Sequence, residues 1–498
     1  MGALFWQRAD HRLGRLFQFI REEQVVNANT EPNRPILILL ASHWISMLGA
    51  FLVTLAGISW LFALPLNFKG HVGNPYIGLL LFVALPILFF AGLALIPVGI
   101  ALAKRRVTQG LTSVPDRRVE WRRVAIFFVV TTGANVVIGS QLSYRAVQQM
   151  DTVQFCGQSC HVMKPEFTAH QLAPHRVVAC VDCHVAPGAS GWVESKINGT
   201  RQLKDVIFNS YPRPIESAME SNRLPPSAET CQQCHDSGKL IGSRLRILTE
   251  YNSDASNSRT ETVLMMMVGG GTNGGIHGVH MGPGVHIRYA AQDKKRQTIP
   301  WVDYRNSETG ATRTYMASAA NAAAVRALPS FEMQCVDCHN RTAHTFELPG
   351  RAVDGALAAS RISASLPFIK KTGVELINTT YQSGEQAQQK IPAGLMAFYK
   401  QNYPEVFSKR SADIQTAGQA LLAVYNQNVF PDLKVTWGTY PNNLGHTDFP
   451  GCFRCHDGNH VAADKTTTIP QDCTVCHQIL AVQETSPPIL TTLGVANQ

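Results

Sequence analysis

All twelve cysteines of this 498-residue chain fall in pairs, and every pair is followed at once by a histidine. Five pairs read Cys-x-x-Cys-His: Cys180, Cys183 and His184; Cys231, Cys234 and His235; Cys335, Cys338 and His339; Cys452, Cys455 and His456; Cys473, Cys476 and His477. The sixth, Cys156-Gly-Gln-Ser-Cys160-His161, carries one extra residue between its cysteines. Two cysteines about a turn apart match the two vinyl groups on one edge of a haem and form thioethers to them. The adjacent imidazole then lies under the ring, where it can ligate the iron. Structural zinc or a redox dithiol would explain one such motif, but not six that consume every cysteine. The expectation is six covalently bound c-type haems, with the six motif histidines as iron ligands.

Apolar residues make up 45% of the chain and charged residues only 16%, which points to a membrane part. Three nearly uncharged runs stand out: Ile36–Leu66, Tyr76–Ala103 and Val124–Leu142. Each approaches or exceeds the roughly 20 apolar residues that a spanning helix needs. The link Asn67–Pro75 holds one basic residue, Lys69, whereas Lys104–Arg123 holds Lys104, Arg105, Arg106, Arg117, Arg118, Arg122 and Arg123. Basic residues stay on the cytoplasmic side, so the second link is expected inside and everything after Ser143 outside. Bacteria attach c-type haem on that outer side, which places the protein in the bacterial inner membrane with its haem part in the periplasm. The formal charge of +9 sits beside the apolar runs and suggests anionic lipid rather than nucleic acid.

Within residues 1–35, Arg8, Arg12, Arg15 and Arg21 alternate with Phe5, Trp6, Leu13, Leu16, Phe17 and Ile20. That pattern suits a basic amphipathic helix on the inner surface or a solvated lead-in. No small-residue cleavage site follows the first run, so a retained anchor is expected. His43 has no second histidine within the spans, so it reads as packed rather than as a haem ligand.

The expected fold is mainly α. Three transmembrane helices (36–145) precede an exported multihaem domain with little regular structure and a small β-hairpin insertion. Residues 146–235 hold three motifs in too little chain for an ordinary core, so the haems themselves must form one. Residues 236–334 are haem-free. They contain a Gly-rich stretch, Gly269–Gly284, with His277, His280 and His286. Strand-like Val285–Tyr289 and Thr298–Tyr304 follow, then a turn at Ser307–Gly310 that would pair Thr312–Met316 in a hairpin. The Gly-rich stretch lacks the Lys-Ser/Thr ending of a phosphate loop. The fourth motif lies in 335–350, a helical segment fills 351–440 with three or four helices over 352–428, and 441–498 forms a terminal dihaem module.

Six irons accept up to twelve axial ligands. The motif histidines supply six, and His170, His175, His277, His280, His286, His344, His446 and His460 are available for the opposite faces. His175, His344, His446 and His460 lie close to a motif in sequence. The Gly-rich stretch should deliver one ligand, from His277 or His280, because glycine lets the backbone pass close over a flat ring. Haems with two imidazoles carry electrons rather than bind substrate.

From about Val124 to His235 the chain resembles the NapC/NirT family of membrane-anchored quinol dehydrogenases, which includes the small subunit of cytochrome c nitrite reductase. The shared pattern is a helix entering a first motif with a Met two residues beyond its histidine, His161-Val-Met163. Next come His175, the motif Cys180–His184, and a helix with Lys196 and Asp205; His344 then follows the fourth motif by five residues. The longer extension is similar to inner-membrane cytochromes of metal-reducing bacteria. The resemblance implies that Met163 can replace His161 on the first iron, with Asp205 on its other side. It also implies a quinol site there, with Asp205 and Lys196 as its catalytic residues, and His344 as a ligand to the second haem. The extra residue of the first motif and the register of Lys196 depart from the family pattern.

The physical argument runs the same way. The first motif follows the third run closely, within reach of a lipid-soluble quinol, and a carboxylate could take a proton as electrons leave. The expected function is quinol oxidation, with electrons passed along the haems to a periplasmic redox protein or reductase. Two other readings are an electron-wiring subunit of a larger membrane complex and a terminal reductase with an open haem site.

Overall fold

The computed structural model describes residues 43–63, 84–109, 117–236, 241–270 and 274–495, with residues 40 and 239 besides. The expected amphipathic segment 1–35 and the link 67–75 lie outside the described residues. Contacts divide the chain into two compact units, residues 1–151 and 152–498.

The first unit is made of three helices, α1 (Trp44–Ala63), α2 (Leu85–Thr108) and α3 (Arg117–Met150). Among the described residues two helices are long and apolar enough to cross a membrane, Leu85–Arg106 and Trp121–Met150. The apolar part of α1, Trp44–Ser59, is shorter, and the first expected run is described mainly over 43–63. Helices α1 and α2 run antiparallel at backbone contact. A Cβ on Gly99 would lie 2.3 Å from the Ser46 nitrogen, and one on Gly49 would lie 2.7 Å from the Gly92 oxygen. Small residues at such crossings let helices pack where lipid removes the hydrophobic drive. His43 is buried and its Nδ1 accepts from the Ile45 N–H at 3.2 Å, a packed role. Gly99→Ala is expected to weaken the α1–α2 contact by about 1–3 kcal/mol through overpacking. Gly133→Ala, with nothing within 4 Å of its new methyl, should not. Thermal unfolding of the two variants in detergent compares them.

The second unit begins with α4 (Val153–Gln158), a 3-10 turn His161–Met163, α5 (Lys164–Leu172), α6 (Cys180–His184) and α7 (Gly188–Ile207). Few apolar side chains are buried between 152 and 235: Val162, Ala169, Ala173 and Met219 among the described residues. Two sheets follow, more β-structure than one hairpin. Strands β1 (Arg244–Tyr251) and β2 (Arg259–Met266) form an antiparallel pair. After α8 (Gly275–Met281) come β3 (Val285–Ala290), β4 (Trp301–Asn306), β5 (Thr312–Ala317), α9 (Ala322–Arg326) and β6 (Ser330–Glu332). Helix α10 (Cys335–Cys338) carries the fourth motif.

Helices α11 (Pro349–Ala358), α12 (Ile369–Asn378), α13 (Gly384–Asn402) and α14 (Pro404–Asn428) build a conventional core. Ala387, Ile391, Leu395 and Tyr399 recur every four residues on α13 and are fully buried, packed with Ile369, Ile377, Ile414 and Leu421. Burying such a side chain stabilises by about 1.5–3 kcal/mol. Last come β7 (His460–Ala462), β8 (His477–Glu484) and α15 (Pro488–Thr492). The sheet orders are β1-β2-β8 and β6-β3-β4-β5-β7, so both terminal-module strands join sheets begun before the helical core.

Candidate functional site

The second to sixth motifs each fold around a single helical turn. The His235, His339 and His456 amides donate to the carbonyls of Cys231, Cys335 and Cys452 at 2.9, 2.8 and 3.0 Å. In the two Cys-Val-Asp-Cys-His motifs, the aspartate caps the turn by accepting from the backbone N–H just before the first cysteine. Asp182 takes the Ala179 amide at 3.1 Å and Asp337 takes that of Gln334 at 2.8 Å.

Five motif histidines each face a second histidine from elsewhere in the chain. His184 faces His344 at 6.1 Å between ring centres, His235 faces His175 at 5.9 Å, and His339 faces His277 at 6.1 Å. His456 faces His280 at 5.9 Å and His477 faces His446 at 6.2 Å. An iron between two imidazoles has metal–nitrogen bonds of about 2 Å, and a ring nitrogen lies about 1 Å from the ring centre, so the centres stand about 6 Å apart. The observed pairs fit that demand. Among the described residues no cluster of three or more His, Cys, Asp or Glu side chains is placed to hold a metal ion.

The ring nitrogens are oriented as well. Nδ1 of His175 bonds the Thr342 carbonyl at 3.2 Å, that of His277 the Val268 carbonyl at 3.2 Å, and that of His280 the Ile276 carbonyl at 2.7 Å. His344 Nδ1 bonds the Glu166 carbonyl at 3.0 Å and the Glu166 carboxylate at 3.2 Å. A carbonyl only accepts, so the proton sits on Nδ1 and the Nε2 lone pair is left for metal. Burial also favours the neutral form, the one that binds metal, at some of the paired rings. It lowers His184 and His344 to about 4 and lowers His280, His339 and His477 from the usual histidine value. Burial raises the Glu166 carboxyl above the ordinary glutamate value.

The Gly-rich stretch supplies two of the opposing histidines, not the one expected. Positive φ at Gly269, Gly274 and Gly275 folds the loop back on itself, and a Cβ on Gly269 would lie 2.1 Å from the Gly274 oxygen. The loop opens α8, which carries His277 and His280 one turn apart on one face, towards His339 and His456. Position 286 is different: His286 is exposed and its Nδ1 lies 3.3 Å from Glu332.

His460 needs correcting. It is fully buried in β7, with Nδ1 at 2.8 Å from Asp457 and Nε2 at 2.7 Å from the Ile299 carbonyl. Both nitrogens are engaged in holding the sheet, so neither is left for iron. His170 is buried too, and its Nε2 bonds the Val178 carbonyl at 3.1 Å.

Consecutive motifs are neighbours in space. Cys180 is a side-chain partner of Cys156, Cys183 stands near Cys231 and Cys234, and Cys231 is a partner of Cys335. Cys338 stands near Cys452, and Cys476 near Cys452. A buried clamp ties the fourth motif to the fifth: Asp337 holds Arg296 at 2.9 Å and the Tyr289 hydroxyl, while Arg454 donates to the Asp337 carbonyl at 2.6 Å.

The first motif is unlike the rest. His161 faces Tyr211, with Nε2 3.2 Å from the hydroxyl, and Arg213 donates to that hydroxyl at 2.6 Å. Met163 ends the 3-10 turn, half-buried. Asp205 accepts from the Ser210 hydroxyl at 3.1 Å, one residue before Tyr211. Lys196 lies on the same helix α7, its ammonium 5.4 Å from the Trp192 ring centre. Nine residues make two and a half turns, so Lys196 and Asp205 sit on opposite faces about 13 Å apart along the axis. The two therefore approach any common partner from different sides of α7. Tyr211, Arg213 and Glu166 were not legible in the sequence, because a lone Tyr, Arg or Glu carries no spacing signal.

Residues 119–246 match the NapC/NirT cytochrome c family, N-terminal region. The chain is 37% identical over 462 residues to the cytochrome c-type protein ImcH of Geobacter sulfurreducens, covering 88% of this chain and 87% of that protein. No solved structure matches it. With its haem-attachment motifs, its facing imidazoles and its apolar helices, the chain belongs to the NapC/NirT cytochrome c family and is a membrane-anchored multihaem cytochrome of electron transport.

Proposed function

We propose that the chain oxidises membrane quinol beside the first motif and carries the electrons through six haems, in the chain order of their motifs, to a periplasmic redox protein. The observation that carries this reading is the set of five facing imidazole pairs at 5.9–6.2 Å. Two imidazoles per iron leave no open position, which favours electron carriage over a terminal reductase. The head-to-tail adjacency of the motifs supports the order. The haems supply one-electron carriage; the protein's residues hold the rings, fix their protons and exclude water.

Several features support entry at the first motif. Cys156 follows the end of α3 by six residues. Helix α7 exposes Trp192, Val193, Ile197, Leu203 and Ile207 beside Lys196, on an apolar face with cationic edges that suits a lipid interface. Asp205 would take a proton as the quinol gives up its electrons. The seven basic residues between 104 and 123 support a cytoplasmic link with the haem part outside, after three spans that include α1.

Purified protein tests the reading. A pyridine haemochrome assay should return six haems per chain, including one on Cys156 and Cys160, and a menaquinol or ubiquinol analogue should reduce them. Five or fewer haems in fully matured protein would remove the first site, and haems reducible by dithionite but not by quinol would remove the activity.

A further inference from the structure

Two independent observations set the first motif apart. The first is backbone. In the third, fourth and fifth motifs the histidine amide closes the turn opened by the first cysteine. In the first motif α4 ends at Gln158 and Cys160 is extended, with φ −112° and ψ 112°. The chain then starts a separate 3-10 turn, His161–Met163, closed by the Met163 amide on the Cys160 carbonyl at 3.0 Å. The extra residue therefore takes His161 off the cysteine turn and puts it on the same short turn as Met163.

The second observation is what stands opposite. Five motif histidines face imidazoles with room for an iron between the rings. His161 instead has its Nε2 3.2 Å from the Tyr211 hydroxyl, less than the roughly 4 Å that two metal–ligand bonds of about 2 Å require. The phenol is itself fixed. Arg213 donates to its oxygen at 2.6 Å, stacks its guanidinium 4.3 Å from the ring centre, and is anchored to Asn209 at 2.6 Å. Because an arginine only donates, the Tyr211 oxygen accepts from it, and the phenolic proton is free to point at the His161 lone pair.

We infer that Tyr211, clamped by Arg213, is a positioning residue that holds His161 off the first iron and leaves that iron to Met163. This rests on the first haem being attached at Cys156 and Cys160. The clamp also belongs to the segment that carries Asp205. Ser210 donates its amide to the Asp205 carbonyl at 2.8 Å and its hydroxyl to the Asp205 carboxylate at 3.1 Å. Residues 205–213 thus combine the proposed proton acceptor with the device that selects the ligand.

Tyr211→Phe removes the hydroxyl and keeps the ring. In the full-length haem-loaded protein, His161 is then released to the iron. One haem equivalent should lose its sulfur-to-iron charge-transfer absorption, and its midpoint potential should fall, since methionine ligation raises potential relative to histidine. The double variant Tyr211→Phe/His161→Gln, with no imidazole to bind, should recover the parent spectrum and potential. Arg213→Gln, which loosens the phenol without removing it, should give the same change in part of the molecules. His161→Gln alone should leave the spectrum unchanged. The inference is overturned if Tyr211→Phe leaves all potentials and spectra as in the parent. It is equally overturned if His161→Gln alone alters one haem, because that imidazole was then already on the iron. Quinol reduction is read separately: a ligand exchange in Tyr211→Phe together with no quinol reduction of the parent would retain the clamp and discard the quinol site.

Discussion

Asp205→Asn is expected to slow quinol-driven haem reduction by about 10²–10⁴-fold, the range that a positioned general base contributes. The substitution keeps shape and removes the basic oxygen. The Ser210 hydroxyl that now donates to Asp205 at 3.1 Å can still donate to the amide oxygen, so the loop towards Tyr211 should hold. Dithionite needs no proton acceptor, and its reduction of the haems should run at the parent rate. That contrast separates a lost proton acceptor from a misassembled first haem, in which both reactions would fall. Lys196→Ala serves as the internal comparison. With Lys196 two and a half turns away on the opposite face of α7, its effect should be much smaller than that of Asp205→Asn, confined to quinol or lipid binding. Equal losses from the two variants would mean that they act on one quinol after all. Normal quinol oxidation by Asp205→Asn would show that the carboxylate serves only to hold the loop.

His277→Ala and His280→Ala should each convert one haem from low spin to high spin, and the double variant two. The two histidines stand on one face of α8 opposite His339 and His456, with ring centres 6.1 and 5.9 Å away. Alanine leaves one face of each iron without an imidazole. A vacated position also creates a site for small ligands, so ferrous His277→Ala and His280→Ala should bind carbon monoxide where the parent does not. Electron delivery past the fourth motif should drop sharply in the double variant, because two successive carriers are altered. His286→Ala is the control from the same stretch, exposed and beside Glu332, and should leave every haem low-spin. A fully low-spin spectrum in His277→Ala would reject the pairing with His339. Loss of haem from the chain, by contrast, should not occur, since the thioethers at Cys335, Cys338, Cys452 and Cys455 are untouched.

What could be read from the sequence was whatever is encoded over a few residues. A cysteine pair followed by histidine is a local covalent rule, and an apolar run long enough to span a bilayer is a local sum. The helical period that buries Ala387, Ile391, Leu395 and Tyr399 also lies within one element. The family likeness rested on such local spacings, and it is shown by the comparison with known relatives. The sheets were less legible. Strand β8 begins at a motif histidine and pairs with β2, with Met266 opposite His477, a partnership across the whole helical core that no window of sequence contains.

The opposing histidines divide along the same line. His446 lies close to the last two motifs and was a candidate by proximity, but so was His460, which the fold uses to bond Ile299 and Asp457 instead. Proximity in sequence says which histidines can reach an iron, while the packing of distant elements decides which of them arrive. His344 reaches His184 because its Nδ1 is held by Glu166, and His175 reaches His235 because its Nδ1 is held by Thr342. A helical turn after the Gly-rich loop turned two histidines towards motif histidines where flexibility alone suggested one. Helix geometry separated Lys196 from Asp205, and a loop beyond that helix brought Tyr211 to His161. The sequence by itself determined the haem attachments and the apolar runs, because thioether chemistry and burial in lipid depend on residue type and short spacing. The tertiary structure decided which imidazole faces which, and which phenol faces His161, because a hydrogen bond of about 3 Å between residues far apart in the chain exists only once the chain has folded around it.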